Sequence, residues 1–330
     1  MHDVAAFAGV SHKTVSRVVN GDPYVSDDML ARVTAAIDAV GYRRNEFARQ
    51  LRQGSTNTIS FVMEDVSDPF YSVVTRAAEE VAAAREVFLV AASSEGDPAR
   101  AVGLVNTFNG RQVEGQLLTP TEGIESEGLA TELRMGAPLV FIDRPVRGLE
   151  ADTVLADNAG GTRLATEHLL AHGHRRIAYL GDNPSLYTAR ERASGYRAAL
   201  EAAGAGVDER LIHLGTPNVA EVDAVLARLL DLDPAPTALI TGNNRLTHAA
   251  LRTGRRILQR LALVGFDDFE LADVLDPPVT VVAQDASGMG RRAAELLFDR
   301  IAGDSRPPEN VTLPVRLIER GSGERPPASV

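Results

Sequence analysis

The sequence predicts a multidomain chain: a small all-α headpiece, a short hinge segment, and a two-lobed α/β core of parallel sheets. Three observations carry this. The first 42 residues read as three short helices with glycine stops at Gly9 and Gly41. From Thr58 onward, short β-branched runs alternate with longer amphipathic ones, the pattern of strands covered by helices. Charge divides along the same line. Residues 1–54 hold seven Lys/Arg and six Asp/Glu, a net of +1, so the rest of a chain of net charge −11 carries −12. At 330 residues the chain is also too long for one small core.

The headpiece is built around Val10-Ser11-His12-Lys13-Thr14-Val15-Ser16-Arg17-Val18-Val19-Asn20. Ser11 suits an N-cap, because its hydroxyl can accept from first-turn amides. Val15, Val18 and Val19 make one apolar stripe, leaving His12, Lys13, Ser16 and Arg17 on other faces. Lys13 is the only lysine in the chain. Upstream, Asp3–Ala8 makes a shorter apolar helix closed by Gly9, so the pair reads as a helix-turn-helix whose second helix enters the major groove. Ser26 is expected to cap a third helix, with Asp27 and Asp28 in its first turn and Leu30, Val33, Ile37 and Val40 as its buried face. Arg43, Arg44, Arg49 and Arg52 face only Glu46, so an acidic body carries a locally basic head, as suits a protein that meets DNA with one end.

Asp3-Val4-Ala5, Ala8-Gly9-Val10-Ser11, Thr14 to Gly21, Val25-Ser26, Gly41-Tyr42 and Ala48-Arg49-Gln50-Leu51 together resemble the headpiece of the lactose-repressor (LacI/GalR) family of bacterial transcription regulators. The likeness extends more loosely over the rest of the chain. It implies a headpiece over 1–44, a hinge helix and linker over 45–57, and an effector-binding and dimerisation core over 58–330. His12, Lys13 and Arg17 are then the first-choice base or phosphate contacts, since cationic donors suit guanine O6/N7. Ser11, Thr14 and Ser16 cap, pack or touch phosphate. Asn20, Asn45, Ala48 and Leu51 complete the implied DNA-binding set. Asn45 can cap a short helix whose apolar side is Phe47, Ala48 and Leu51. So short a helix should fold only when something packs on it. In the family it pairs with its dimer mate in the minor groove, with a leucine wedged between bases, and Leu51 holds that position. Arg44 stands where the family usually has proline. The family headpiece also has a few residues before the Asp-Val pair, which predicts a natural start upstream of Met1.

In the core, strands are predicted at Ile59–Met63, Val87–Ala91, Gln116–Thr119, Leu139–Ile142, Ile177–Leu180, Ala238–Thr241 and Ala262–Val264. Helices are predicted at Tyr71–Ala84, Ala99–Phe108, Gly161–His172, Ala189–Ala203, Val219–Leu230, Arg245–Arg260 and Gly288–Ile301. So long an alternation exceeds one sheet and splits near Asp157. The crossing-over resembles the periplasmic-binding-protein type I core of the same family. Lobe one is then about 58–156 and 286–314, and lobe two about 157–285 and 315–330. No sequence repeat or leucine heptad is present, so a homodimer is expected rather than a tetramer.

An effector should sit at the carboxyl ends of the strands, between the lobes. The resemblance implies Phe70, Asp143, Arg192, Asn243, Asp267 and Gln284 as its contacts. Fixed donors and acceptors with one aromatic ring suit a sugar or a related polyol or nucleoside. Two departures from the family stand here: Asn243-Asn244 replaces the common Asn-Asp, and the segment between Leu251 and Leu263 is short.

His168, His172 and His174 are read as structural rather than as a metal site, because Glu167 precedes the first histidine instead of following it. Phosphate-binding, dinucleotide-binding and nucleophile-elbow glycine motifs are absent, so no enzyme activity or cofactor is expected. The chain has no cysteine, and no stretch approaches the ~20 apolar residues of a membrane helix. A cytoplasmic repressor is therefore expected, binding a near-palindromic double-stranded operator as a dimer under control of a small molecule. A sugar-binding transport-type protein without DNA function is the alternative.

Overall fold

The computed structural model describes the chain except residues 20, 43–55, 125, 136, 216–217, 254–255 and 328–330. It divides into two compact units, Met1–Thr56 and Asn57–Val330. Asn20, Asn45, Ala48 and Leu51, and with them the expected hinge helix, lie outside the described residues.

Among its described residues the first unit has three helices: α1 (His2–Ala8), α2 (His12–Val19) and α3 (Asp27–Val40). Each contributes one fully buried valine, Val4, Val15 and Val33, so the core is a three-way apolar contact filled out by Ala5, Ala8, Val18 and Ala36. Gly9 ends α1 with φ of 64°, a left-handed turn in which a side chain would be strained, and Arg32 Nη2 donates to Ala8 O at 2.8 Å beside it. Two expectations for α3 are corrected. Ser26 occupies the N-cap position, but its side chain makes no capping bond. Leu30 and Val40 are exposed, and Ala36 is buried instead. The small helix contact has room for a narrow stripe only, so positions 33 and 36 fill it and its ends stay in water.

The second unit holds two six-stranded sheets. The first comprises β1 (Thr58–Met63), β2 (Phe88–Ser93), β3 (Gly115–Leu118), β4 (Leu139–Ile142), β5 (Thr153–Ala156) and β11 (Asn310–Leu313), in the order β11-β5-β4-β3-β1-β2. The second comprises β6 (Ile177–Gly181), β7 (Ile212–Leu214), β8 (Ala238–Thr241), β9 (Ala262–Phe266), β10 (Thr280–Ala283) and β12 (Arg316–Ile318), in the order β12-β10-β9-β8-β6-β7. All pairings are parallel except β10 with β12. The two orders correspond strand for strand, a structural repeat without a visible sequence repeat.

The central strands are buried on both faces, as parallel strands between helix layers must be. In β1, Ile59, Phe61 and Met63 join one apolar cluster while Val62 joins the other. Between the strands lie α4 (Pro69–Ala83), α5 (Pro98–Gly110), α6 (Ser126–Met135), α7 (Asn158–Ala171), α8 (Tyr187–Ala202), α9 (Val219–Leu230), α10 (Asn244–Arg252), α11 (Ile257–Arg260) and α12 (Ala286–Ile301). The single helix expected over Arg245–Arg260 is two. Thr253 leaves helical geometry at ψ of 147°, and Arg256 is left-handed at φ of 49°. Strands β5, β7 and β10 to β12 and helix α6 were not anticipated. The five strands are three or four residues long, and each lies at or next to the edge of its sheet.

Two aspartates mark the chain's passage between the sheets. Asp157 follows β5 and caps α7, accepting from Gly160 N at 2.8 Å. Asp285 follows β10 and caps α12, accepting from Gly288 N at 2.8 Å. Helix α12 then packs back on the first sheet, where Met289, Ala293, Ala294 and Leu297 join Ile59 and Phe61. Both helices approach a neighbour closely through glycine. A Cβ on Gly195 of α8 would lie 2.1 Å from Ala159 O, and one on Gly290 of α12 would lie 2.2 Å from Val74 O.

Candidate functional site

Helix α2 presents its predicted contacts outward. Ser11 Oγ accepts from Thr14 N at 3.1 Å and lies 2.9 Å from Thr14 Oγ1, so these two hydroxyls close the helix start, as the sequence suggested. His12 and Lys13 are exposed, and Ser16 is half-buried. The His12 ring lies 4.8 Å from that of His2. Arg17 is held by Asp22, whose Oδ2 accepts from Arg17 Nε at 2.8 Å. Sequence reasoning passed over Asp22 and also Tyr24, an 87 % exposed aromatic in the same turn. Both lie beyond the helix that drew attention, and only proximity to Arg17 gives them meaning.

In the second unit, Phe70, Asp143, Arg192, Asn243, Asp267 and Gln284 all line one cleft between the carboxyl ends of the two sheets. Phe70 lies in the first turn of α4, and its ring stands edge-on to Tyr71 at 5.1 Å. Asp143 directly follows β4 and Asp267 directly follows β9, both left-handed, at φ of 74° and 70°. That geometry turns the Asp267 side chain into the cleft, while Asp268 turns to Arg320 at 2.7 and 2.8 Å. The two adjacent acids do point apart.

Arg192 is the best-anchored cleft residue. It is buried, donates to Asn158 Oδ1 at 2.7 Å and Gly242 O at 2.6 Å, lies 3.7 Å from Asp267 Oδ2, and stacks over Phe266 at 3.8 Å. Asn243 is committed at both ends. Its Oδ1 accepts from Leu246 N at 2.8 Å, capping α10, and its Nδ2 donates to Asp182 at 2.8 Å. Gln284 donates to Asp267, and its Oε1 is buried without a hydrogen-bond partner. Burial pushes the carboxyls of Asp143 and Asp267 upward, against Arg144 and Arg192 respectively, which pull them down. Burial also opposes the charge of Arg144, but Tyr71, Asp143 and Glu64 outweigh it and hold its pKa above the ordinary arginine value.

Glu64, Asp65 and Asp182 also line the cleft, and sequence reasoning did not single them out. The available signal was positional: Glu64 and Asp182 are the first residues past β1 and β6, which correspond in the two sheets. Hydrogen bonds between described residues cross the cleft. Asn244 Nδ2 donates to Asp68 Oδ1 at 3.0 Å, and Asn183 Nδ2 donates to Glu122.

Of the three histidines of the 168–174 stretch, His168 and His172 stand ring against ring at 4.5 Å, and His174 has partners of its own. His168 Nε2 lies 2.8 Å from Glu324, with Glu319 further off, and His172 Nδ1 is 2.9 Å from His168 O. His174 Nδ1 lies 2.9 Å from Thr237 Oγ1, and its Nε2 lies 2.8 Å from Arg325 O.

The model of the lacI family of bacterial regulatory proteins matches residues 1–45, and that of a periplasmic binding protein-like domain matches residues 166–323. The ribose operon repressor of Escherichia coli (strain K12) is 32% identical over 98% of this chain and 99% of its own length. A solved complex of the transcriptional regulator CelR with cellobiose is 34% identical, covers 97% of this chain and 98% of its own, and superposes with a TM-score of 0.72. The Lac repressor dimer bound to operator and the anti-inducer ONPF is 25% identical over 97% of this chain and 98% of its own, with a TM-score of 0.84. The relatives are regulators of transcription, not enzymes. With a three-helix headpiece, two corresponding parallel-rich sheets and identity of this degree over nearly the whole of both chains, this protein belongs to the lacI family of bacterial regulatory proteins.

Proposed function

We propose that the chain is a homodimeric repressor that binds a near-palindromic operator through α2 and is controlled by an uncharged polyhydroxylated effector held in the core cleft. The observation that carries this reading is the convergence of Phe70, Asp143, Arg192, Asn243, Asp267 and Gln284 on one cleft. The naming of relatives for ribose and for cellobiose supports the sugar class, and the operator-bound Lac repressor dimer supports the dimeric DNA complex. A twofold dimer reads two half-sites related by the same symmetry.

Charge narrows the effector. The cleft is lined by six carboxylates, Glu64, Asp65, Asp68, Asp143, Asp182 and Asp267, against three guanidiniums, Arg144, Arg192 and Arg245. Arg144 is already paired with Glu64 and Asp143, and Arg192 is committed as described. A phosphorylated ligand would meet an excess of negative charge with little cation left to neutralise it. Hydroxyl groups suit the site better, since they can donate to carboxylates and to the unpartnered Gln284 Oε1.

The test is thermal melting of the full chain against neutral sugars, sugar phosphates and nucleosides. A true ligand at 100 times its dissociation constant stabilises by about 2.7 kcal/mol. Stabilisation by a neutral sugar, lost in Arg192→Ala, is the expected result. Stabilisation by sugar phosphates alone would overturn the charge argument. Silence across the panel would overturn the polyol reading and leave the DNA-binding half standing.

A further inference from the structure

The turn after α2 holds Arg17 in one orientation. Gly21, at φ of 68°, reverses the chain, and Asp22 N donates to Arg17 O at 3.0 Å. The Asp22 carboxylate then grips the guanidinium twice: Oδ2 accepts from Nε at 2.8 Å, and Oδ1 lies 3.4 Å from Nη2. Oδ1 also accepts from Tyr24 N at 2.9 Å, so the carboxylate is itself fixed by backbone. The Arg17 hydrogen bond is the main influence drawing the Asp22 carboxyl below its ordinary value.

The edge that is gripped matters. A guanidinium carries five N–H donors in a rigid plane. Asp22 takes the side edge, made of Nε and one Nη2 hydrogen. The end edge, made of Nη1 and the other Nη2 hydrogen, keeps two parallel donors. Two parallel donors are what guanine O6 and N7 require in the major groove. An exposed arginine on a helix otherwise samples many rotamers and reaches phosphate as easily as a base edge.

We propose that Asp22 is the positioning residue for Arg17, fixing its side edge so that its end edge reads one guanine. The proposal rests on α2 being the recognition helix with Arg17 as a base contact. It carries a second consequence of opposite sign. A carboxylate at the DNA face repels phosphate, so Asp22 sharpens sequence choice while weakening binding to arbitrary duplex.

The experiment uses the full chain. Preferred duplexes are selected from a randomised pool for the natural sequence, Arg17→Ala, Asp22→Ala and Asp22→Asn. Affinities for the selected duplex, its single-pair variants and a random duplex follow by fluorescence anisotropy at one salt concentration. Arg17→Ala is expected to lose preference at one G·C pair. Asp22→Ala is expected to lose preference at that same pair by about tenfold, to keep the others, and to bind random duplex at least as tightly as the natural sequence. Asp22→Asn, which keeps an acceptor for Tyr24 N, is expected to fall between. Uniform weakening on every duplex, or an Asp22→Ala or Asp22→Asn protein with undiminished choice at that pair, overturns the proposal. An Arg17→Ala protein with unchanged base preference overturns the reading of Arg17 itself, a different and recognisable failure.

Discussion

Asp143 and Asp267 hold the same place in the two halves of the core. Each directly follows the third strand of its sheet, each is left-handed, and each backbone amide donates at 2.8 Å to the next strand, to Val154 O and to Val282 O. Two buried carboxylates therefore enter one cleft from opposite walls, aimed by a conformation that non-glycine residues adopt at a cost of about 1–3 kcal/mol.

Burial raises the Asp143 carboxyl above its ordinary value of 3.8. For an acid with a raised folded pKa, the favourable contribution is complete below the unfolded value and is lost as pH rises through the folded one. Asp143→Asn removes that loss. Its melting temperature is expected to gain on the natural sequence as pH rises from about 4 to 7, with the gap closing at the acid end. Parallel pH curves for the two proteins would refute this.

Asn244→Asp places a carboxylate against Asp68, where the amide now donates at 3.0 Å between the lobes. Like charges at that distance repel. The variant is expected to open the cleft at neutral pH, read as a larger radius of gyration by small-angle scattering and weaker effector binding, both recovering on acidification. An unchanged radius would show that this bond does not hold the lobes together.

Gly195→Ala and Gly290→Ala each drive a Cβ into a backbone carbonyl, at 2.1 and 2.2 Å. Neither Ala159 nor Val74 can yield without moving its helix. Each variant is expected to lose about 1–3 kcal/mol in urea melts. A loss under about 0.5 kcal/mol, the range of ordinary surface changes, would mean that the helix pairs slide freely.

His174 is buried, and desolvation draws its pKa below 6.5. With Thr237 on Nδ1 and Arg325 O on Nε2, the ring fits as a neutral donor–acceptor pair. A depressed folded pKa gives stability that is present above 6.5 and lost as pH falls through the folded value. Between about pH 7.5 and 5.5, His174→Gln is expected to lose less stability than the natural sequence. Equal losses in denaturant melts would assign the acid sensitivity elsewhere.

Much of the fold is visible in residue order, because long amphipathic helices and the apolar strands at the middle of each sheet announce themselves. Leu239 and Ile240, for example, sit in adjacent clusters on opposite faces of β8 and leave a continuous apolar run. The strands that were missed, such as Ile212–Leu214 and Arg316–Ile318, exist by pairing with a neighbour and not by local preference. The cleft was legible as a set of strand ends. The state of each side chain was not: Asn243 is fully engaged in a cap and an acid contact, and no spacing rule reveals that. The brace on Arg17 was likewise invisible, since a five-residue separation across a glycine turn matches no helical or strand period.

The return of α12 to the first sheet sets a schedule for the newborn chain. The cluster around Ile59 and Phe61 lacks Met289, Ala293, Ala294 and Leu297 until α12 has been made. Every residue of β6 to β10 is synthesised before then. On the ribosome the earlier lobe therefore waits with an open apolar face while the later one is completed, so the two become finished bodies at nearly the same moment.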